Sequence, residues 1–146
     1  SAESGVAKSA FIPRPQSPWS PAKTDETGGF RAFIPWTFSP DKTGMPEMKR
    51  IGGQEYLKTV AVSRLVLDNF RNIHAGWVTE GPRLAQTALL FGANDMGGIL
   101  MEEVVVKATG VSHVMTKEKL IELIKGAGKI PVLRNSRYEI LQEFQV

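Results

Sequence analysis

The chain has 146 residues, 18 Lys and Arg against 15 Asp and Glu, a formal net charge of +3, and no cysteine. One domain of ordinary size fits that length, and about 70% of the extended surface can be buried on folding. The composition, 42% hydrophobic and 23% charged, is globular. No apolar run approaches the ~20 residues of a membrane span. Without cysteine these residues form no disulfide, thiolate zinc site, cysteine nucleophile or cysteine-held iron–sulfur cluster. The densest basic run is Lys49-Arg50, with no aromatic stacking motif beside it, so the charges read as a solvated surface and no nucleic-acid partner is expected. Ser1-Ala2-Glu3-Ser4-Gly5 lacks the basic and then apolar succession of a secretory leader, and the cytoplasm is the expected location.

Residues 1–23 hold four of the nine prolines (Pro13, Pro15, Pro18, Pro21) and five serines. Proline fixes φ and removes a donor, which predicts a mostly irregular arm unable to enter a sheet interior. Ala10-Phe11-Ile12-Pro13 with Ser17-Pro18 is echoed by Ala32-Phe33-Ile34-Pro35 with Ser39-Pro40, a single echo that falls short of a repeat architecture. Phe30 to Ile34 is aromatic and apolar and predicts a buried strand ending near Pro35-Trp36. Pro40, Gly44, Pro46, Gly52 and Gly53 predict a long loop. Gln54 to Phe70 reads as a helix with Leu57, Val60, Ala61 and Leu65 on its inner face. Asn72 to Val78 is a second short strand candidate.

Gly81-Pro82 opens another helix, with proline where a missing donor costs nothing, and Gly92 can end it in a left-handed conformation. Met96 to Met101 and Val104 to Val106 are extended candidates. Thr116 is placed to cap the next helix, with Met115 and Leu120 as a hydrophobic staple, and that helix ends at Gly126 or Gly128. Ile130 to Leu133 reads as extended, and Ser136 as the cap of a short last helix holding Tyr138, Leu141 and Phe144. Alternating strands and helices predict an α/β fold of about three βα units with a parallel sheet, either a small open domain or part of a (β/α)₈ barrel.

Sites in such folds gather at the carboxyl ends of the strands. That rule selects Trp36-Thr37, Trp77-Val78-Thr79, and Gly92-Ala93-Asn94-Asp95 with Glu102-Glu103. On residue type alone the tryptophans read first as core anchors, Asn94-Asp95 as a turn, and Glu102-Glu103 as a solvated pair. His74 and His113 have no further ligand at metal spacing. No Ser-His-Asp arrangement, glycine-rich nucleotide loop or zinc-protease helix is readable.

The residues themselves go further. Gly29 to Pro40 (GFRAFIPWTFSP), Tyr56-Leu57 through Arg64-Leu65 to Leu67-Asp68-Asn69, Asn72 to Thr79 (NIHAGWVT), Phe91 to Asp95 (FGAND), Met101 to Glu103, Ala127 to Pro131 and Arg134 with Tyr138 closely resemble the cyclic dehypoxanthine futalosine synthase family. These are radical S-adenosylmethionine enzymes of the futalosine route to menaquinone, and the resemblance runs from about Thr24 to the end. Aminofutalosine synthase and the deazaflavin-forming FO synthase share the frame; Trp36-Thr37-Phe38 and Asn94-Asp95 favour the cyclase.

The resemblance implies the last part of a (β/α)₈ barrel over 24–110, with Phe30–Trp36, Ile73–Trp77 and Met96–Leu100 as strands six, seven and eight. It also implies helices over 54–70 and 82–92 and a helical extension over 111–146. The family holds a [4Fe–4S] cluster on a CxxxCxxC loop, cleaves S-adenosylmethionine there, and uses the resulting radical to cyclise its substrate. This chain has no such loop, so alone it is expected to hold no cofactor and to be inactive, as a C-terminal fragment or the product of a truncated gene. A non-catalytic binding or assembly module is the alternative. The resemblance makes Trp36, Thr37, His74, Trp77, Asn94, Asp95 and Glu102 candidates for the substrate side of the pocket. The chain departs from the family pattern at His74 (Gln is usual), Gly76 (Ser), Val104 (Asn) and Leu133 (Gln), which bears on substrate identity. Strands cut from a closed barrel leave free edges. A separate N-terminal half, or self-association, is therefore the expected partnership, with a small molecule as substrate and no membrane.

Overall fold

The computed structural model describes residues 6–9, 30–40, 43–45, 47–67, 69–98 and 115–145. Strand β2 (Ala32–Phe33) pairs in parallel with β3 (Asn72–Ile73), in the register Ala32 to Asn72 and Phe33 to Ile73. A parallel bridge joins His74 to Asp95 on the other side of β3. The backbone bonds follow: His74 N to Phe33 O at 2.9 Å, Asn94 N to Ile73 O at 2.9 Å and Ala75 N to Asp95 O at 2.7 Å. Three parallel segments therefore lie side by side with β3 central. Helix α1 (Gly53–Val66) connects the first two, and the short α2 (Trp77–Glu80) and α3 (Pro82–Ala88) connect the second and third. The expected α/β composition is observed. The strands are shorter than expected, since the chain turns helical at Trp77, three residues past the bridge.

Side chains alternate across a strand. Ile73 and Ala75 point to the helix layer and join a core with Tyr56, Val60, Ala85, Ala88, Leu89 and Ala93. Ala85 and Ala88 contribute α3 to this core, where it packs against α1 and α2, and Trp77 and Met96 belong to the same core. Of the expected inner stripe of α1, Val60 is buried, Leu57 packs against the core and Ala61 is half-buried, while Leu65 is not part of it. Tyr56, Val60 and Ser63 are buried, whereas Leu65 is 65% exposed beside Val62 and Val66. The three buried positions follow i, i+4 and i+7, so the helix is rotated by about one position from the aliphatic reading. Phe30, Ile34, Trp36 and Phe38 along the β2 segment are exposed too, so apolar side chains lie open both along β2 and on α1.

Pro82 stands at the first position of α3 as expected, after Gly81 at φ +85°. Gly92 leaves the following turns at φ +111°, with the Arg64 side chain packed against its Cα. Helix α4 (Lys117–Gly126) is capped as expected, with Thr116 Oγ1 accepting from Lys119 N at 3.2 Å, and Met115 and Leu120 both buried.

The last helix expected after Ser136 is not there. Pro131–Arg134 is β4 and Ile140–Glu143 is β5, an antiparallel hairpin. Asn135 decides this: its Oδ1 accepts from Arg137 N (2.9 Å) and Glu139 N (3.1 Å), while Asn135 N bonds Glu139 O (3.0 Å). An asparagine side chain that closes a turn competes with helix initiation. The region expected as a helical extension is therefore a helix followed by a hairpin. Val6–Ser9, inside the expected irregular arm, forms β1 on the other edge of β4, in the order β1-β4-β5. That tetrapeptide contains no proline, which permits the pairing. Met96 to Gly98, expected to open an extended run, carries no strand pairing, the bridge lying at Asp95 just before it; the extended candidates beyond Gly98 lie outside the described residues. No described helix is long and apolar enough to cross a membrane.

Leu120 is 1% exposed and Leu65 lies open. Urea denaturation of the chain is expected to show Leu120→Ala losing roughly 2–5 kcal/mol and Leu65→Ala within about 0.5 kcal/mol of wild type. Equal losses would contradict this orientation of α1.

Candidate functional site

Two polar clusters lie at the carboxyl ends of the parallel segments. The first surrounds Asp95, which is fully buried. Its Oδ1 accepts from Arg134 Nε at 2.7 Å, and its Oδ2 accepts from Arg134 Nη2 at 2.8 Å and from His74 Nδ1 at 3.1 Å. The parallel bridge puts Asp95 beside His74, and Arg134 arrives from the end of β4. The Tyr138 ring lies 3.8 Å from the guanidinium, held there by a backbone φ of +68° in the hairpin turn. Two-pronged contact of a planar guanidinium with a carboxylate is the strong form of an ion pair.

Burial alone would raise the Asp95 carboxyl, but the hydrogen bonds and charges of His74 and Arg134 win, and it is held below the usual carboxylate range. Arg134 is held above its ordinary value, because the bond and charge of Asp95 outweigh the opposing effect of burial. Burial, then the Asp95 charge, pushes the Tyr138 phenol up. The edge of the His74 ring rests against Gly97, which sits at φ +74° and has no room for a Cβ. On the same face of β3, Asn72 Nδ2 donates to Arg31 O at 2.7 Å, and its buried Oδ1 has no partner among the described residues.

The second cluster is a cleft of about 300 Å³ between the continuation of β2 and the first turns of α1. Phe33, Pro35, Trp36, Thr37, Tyr56 and Thr59 line it. Trp36 is 61% exposed and Thr37 Oγ1 bonds Glu80 Oε1. Tyr56 Oη accepts from Gly76 N at 2.8 Å. Burial pushes the Tyr56 phenol up to about 12, with the Gly76 bond opposing and the Glu80 charge adding to it.

The residues expected to line one pocket thus divide. Trp36 and Thr37 border the cleft, and His74 and Asp95 form the buried pair. Trp77 is a core residue, 2% exposed, whose Nε1 has no hydrogen-bond partner among the described residues. Asn94 is a structural clamp: its Oδ1 accepts from Ile73 N (2.9 Å) and Arg64 Nη2 (3.0 Å), and its Nδ2 donates to Arg71 O (2.9 Å). Glu102 lies outside the described residues. Sequence reasoning did not select Arg134 or Tyr56 for the site. An arginine ending the apolar run Pro131-Val132-Leu133 was the available signal for the first, but its acceptor is 39 positions away. No group of three or more metal-ligating side chains occurs among the described residues.

Residues 27–145 match the family model of the CofH/MqnC C-terminal region. The chain is 46% identical over 121 residues to cyclic dehypoxanthine futalosine synthase of Halalkalibacterium halodurans, covering 83% of this chain and 33% of that protein. It is 44% identical over 124 residues to 5-amino-6-(D-ribitylamino)uracil--L-tyrosine 4-hydroxyphenyl transferase of Methanococcus maripaludis, covering 80% and 34%. With aminodeoxyfutalosine synthase of Streptomyces coelicolor it shares 41% over 134 residues, covering 83% and 35%. The chain spans about a third of the length of these curated relatives.

Two pH limits follow. Asp95, with its depressed carboxyl, contributes stability above the unfolded carboxylate range near pH 4, and this is lost as pH falls through the lower folded value. Asp95→Asn, which leaves Arg134 buried without a counter-charge, is expected to lose roughly 3 kcal/mol at pH 7 and to flatten the acid limb of the stability curve. Tyr56, with its raised phenol, contributes fully below pH 10, and this is lost between pH 10 and about 12. Tyr56→Phe is expected to remove that alkaline loss while costing about 1 kcal/mol at neutral pH. Denaturation midpoints across pH check both.

Proposed function

The chain belongs to the CofH/MqnC C-terminal family, and from that premise we propose that it forms the C-terminal wall of the substrate pocket in a cyclic dehypoxanthine futalosine synthase. The observation carrying this reading is the run of three parallel segments, β2, β3 and the Asp95 bridge, with polar residues at their carboxyl ends, within a family match that covers most of the chain. In the barrel reading β2 and β3 lie in strands six and seven, strand eight is Met96–Leu100 directly after the Asp95 bridge, and 24–110 is the barrel portion. The exposed apolar side chains along β2 and on α1 are then the seat of the N-terminal barrel portion, on the same polypeptide or another. Self-association through them is the competing outcome.

The family reaction needs a thiolate-held [4Fe–4S] cluster and S-adenosylmethionine. The donor set of this chain does not fit such a cluster, since it contains no cysteine. The cluster, and the radical generated with it, therefore belong to the N-terminal portion. The work of the present residues is positioning and exclusion of water. Trp36 offers an aromatic face beside the cleft, Thr37 and Tyr56 supply hydroxyls, and His74 with Asp95 supplies a fixed polar edge. The related aminodeoxyfutalosine synthase and 4-hydroxyphenyl transferase are nearly as similar, so the same wall serving one of their substrates is the runner-up.

Combining the chain with the N-terminal two thirds of the Halalkalibacterium relative is expected to yield cyclised product from dehypoxanthine futalosine by mass spectrometry. Trp36→Ala should reduce that turnover at least about tenfold, and the chain alone should yield none. Generation of 5′-deoxyadenosine by the unaided chain would overturn this division of labour.

A further inference from the structure

The wall of the cleft that carries Trp36 is not held by the strand ladder. The β2–β3 pairing stops at Phe33, whose carbonyl accepts from His74 N. Bonding residues alternate along a parallel strand, so the next donor in register would be residue 35, a proline with no N–H. Among the described residues, none of 34–39 makes a backbone–backbone hydrogen bond to the rest of the fold. Pro35 is buried, but Ile34, Trp36 and Phe38 around it are exposed. The lateral tie is Thr37, whose Oγ1 donates to Glu80 Oε1. A hydroxyl is a free rotor until an acceptor takes its one proton, and for Thr37 that acceptor is Glu80.

Glu80 stands on a fixed base. It ends the single turn of α2, whose first two residues, Trp77 and Val78, are buried. Glu80 N donates to Gly76 O at 3.1 Å, and Gly76 N donates to Tyr56 Oη at 2.8 Å. A Cβ at Gly76 would lie 3.7 Å from Tyr56 Oη and 3.9 Å from Glu80 Cγ, so the phenol and the glutamate side chain flank one backbone position. Tyr56 itself lines the cleft from α1. The path Tyr56, Gly76, Glu80, Thr37 thus leaves one wall of the cleft and returns to the other. Its last link is a half-buried carboxylate with no other hydrogen-bond or ion-pair partner among the described residues.

We propose that Glu80 is a positioning residue: through Thr37 it holds the segment bearing Trp36 in place opposite Tyr56, so that the cleft is preformed for the small molecule it takes. That a substrate occupies the cleft rests on the pocket reading above; the holding of the wall rests on the contacts alone.

The chain has three tryptophans, Trp19, Trp36 and Trp77. Labelling with 5-fluorotryptophan gives three ¹⁹F signals, assigned with Trp19→Phe and Trp36→Phe. The Trp77 signal, from a core side chain, reports that the fold is intact. Glu80→Ala and Thr37→Val are each expected to shift or broaden the Trp36 signal, and the double variant is expected to add nothing further. Glu80→Gln keeps an acceptor oxygen and should retain the wild-type signal. In the enzyme reassembled with the N-terminal two thirds of the Halalkalibacterium relative, Glu80→Ala should raise KM for dehypoxanthine futalosine about fivefold with kcat within about twofold of wild type. Glu80→Gln should restore that KM. An unmoved Trp36 signal in folded Glu80→Ala, additive effects of the two substitutions, or Glu80→Gln behaving like Glu80→Ala would each overturn the proposal. So would a lower kcat at unchanged KM. If Glu80→Ala does not fold, Thr37→Val decides from the other end of the bond. The spectra need neither ligand nor N-terminal portion. A failed turnover assay therefore leaves them standing, and their failure leaves the family reading standing.

Discussion

The constraint on which this structure turns is the cost of an ionised carboxylate with no contact to water. Asp95 has no exposed surface, and a charge so placed is tolerated only when paired and fully hydrogen-bonded. The pairing joins the C-terminal hairpin to the parallel segments. The bridge segment supplies Asp95, β3 supplies His74, and the hairpin that closes the fold supplies Arg134. The hairpin's own turn then adds Tyr138 over the guanidinium. One ion pair thus seats the C-terminal hairpin on the carboxyl ends of the parallel segments, where sites in α/β folds occur.

Around it, polar side chains do work that hydrophobic packing alone would leave undone. Arg64 reaches from α1 to Gly92 O (2.7 Å), Phe70 O (2.9 Å) and Asn94. Its bonds satisfy carbonyls at both turns flanking β3, as Asn94 does from the other side. The core beneath is built from small residues and a few large ones, with alanines where α3 meets its neighbouring helices and Trp77, Tyr56 and Met96 among them. The exposed apolar side chains along β2 and on α1 are the exception to this economy.

Much of the architecture was legible from local chemistry. Thr116, Pro82 and Gly92 marked helix boundaries, because caps, a proline at a first helical position and a left-handed glycine act over a few residues. The strands at 32–33 and 72–73 were legible from apolar runs. The inner face of α1 was legible at Leu57 and Val60 and missed at its C-terminal end, since Leu65 looks like a core residue and Tyr56 and Ser63 do not. What settles that choice is the neighbour across the helix, which periodicity does not contain. The final hairpin was misread for a related reason: Ser136 resembles a cap, but the Asn135 side chain closes the turn first. In the site, Trp36, Thr37, His74 and Asp95 were reachable by the strand-end rule, whereas Arg134 was not, because its role depends on an acceptor in another part of the fold.

Gly97 couples the backbone after the bridge to the ring at position 74. Its backbone conformation is one that side chains resist, and a Cβ there would occupy the volume of the imidazole at position 74. The two positions are therefore not free to drift independently. A side chain at 97 and an imidazole at 74 compete for one volume, so a substitution at the glycine would push the ring away from the carboxylate it is bonded to.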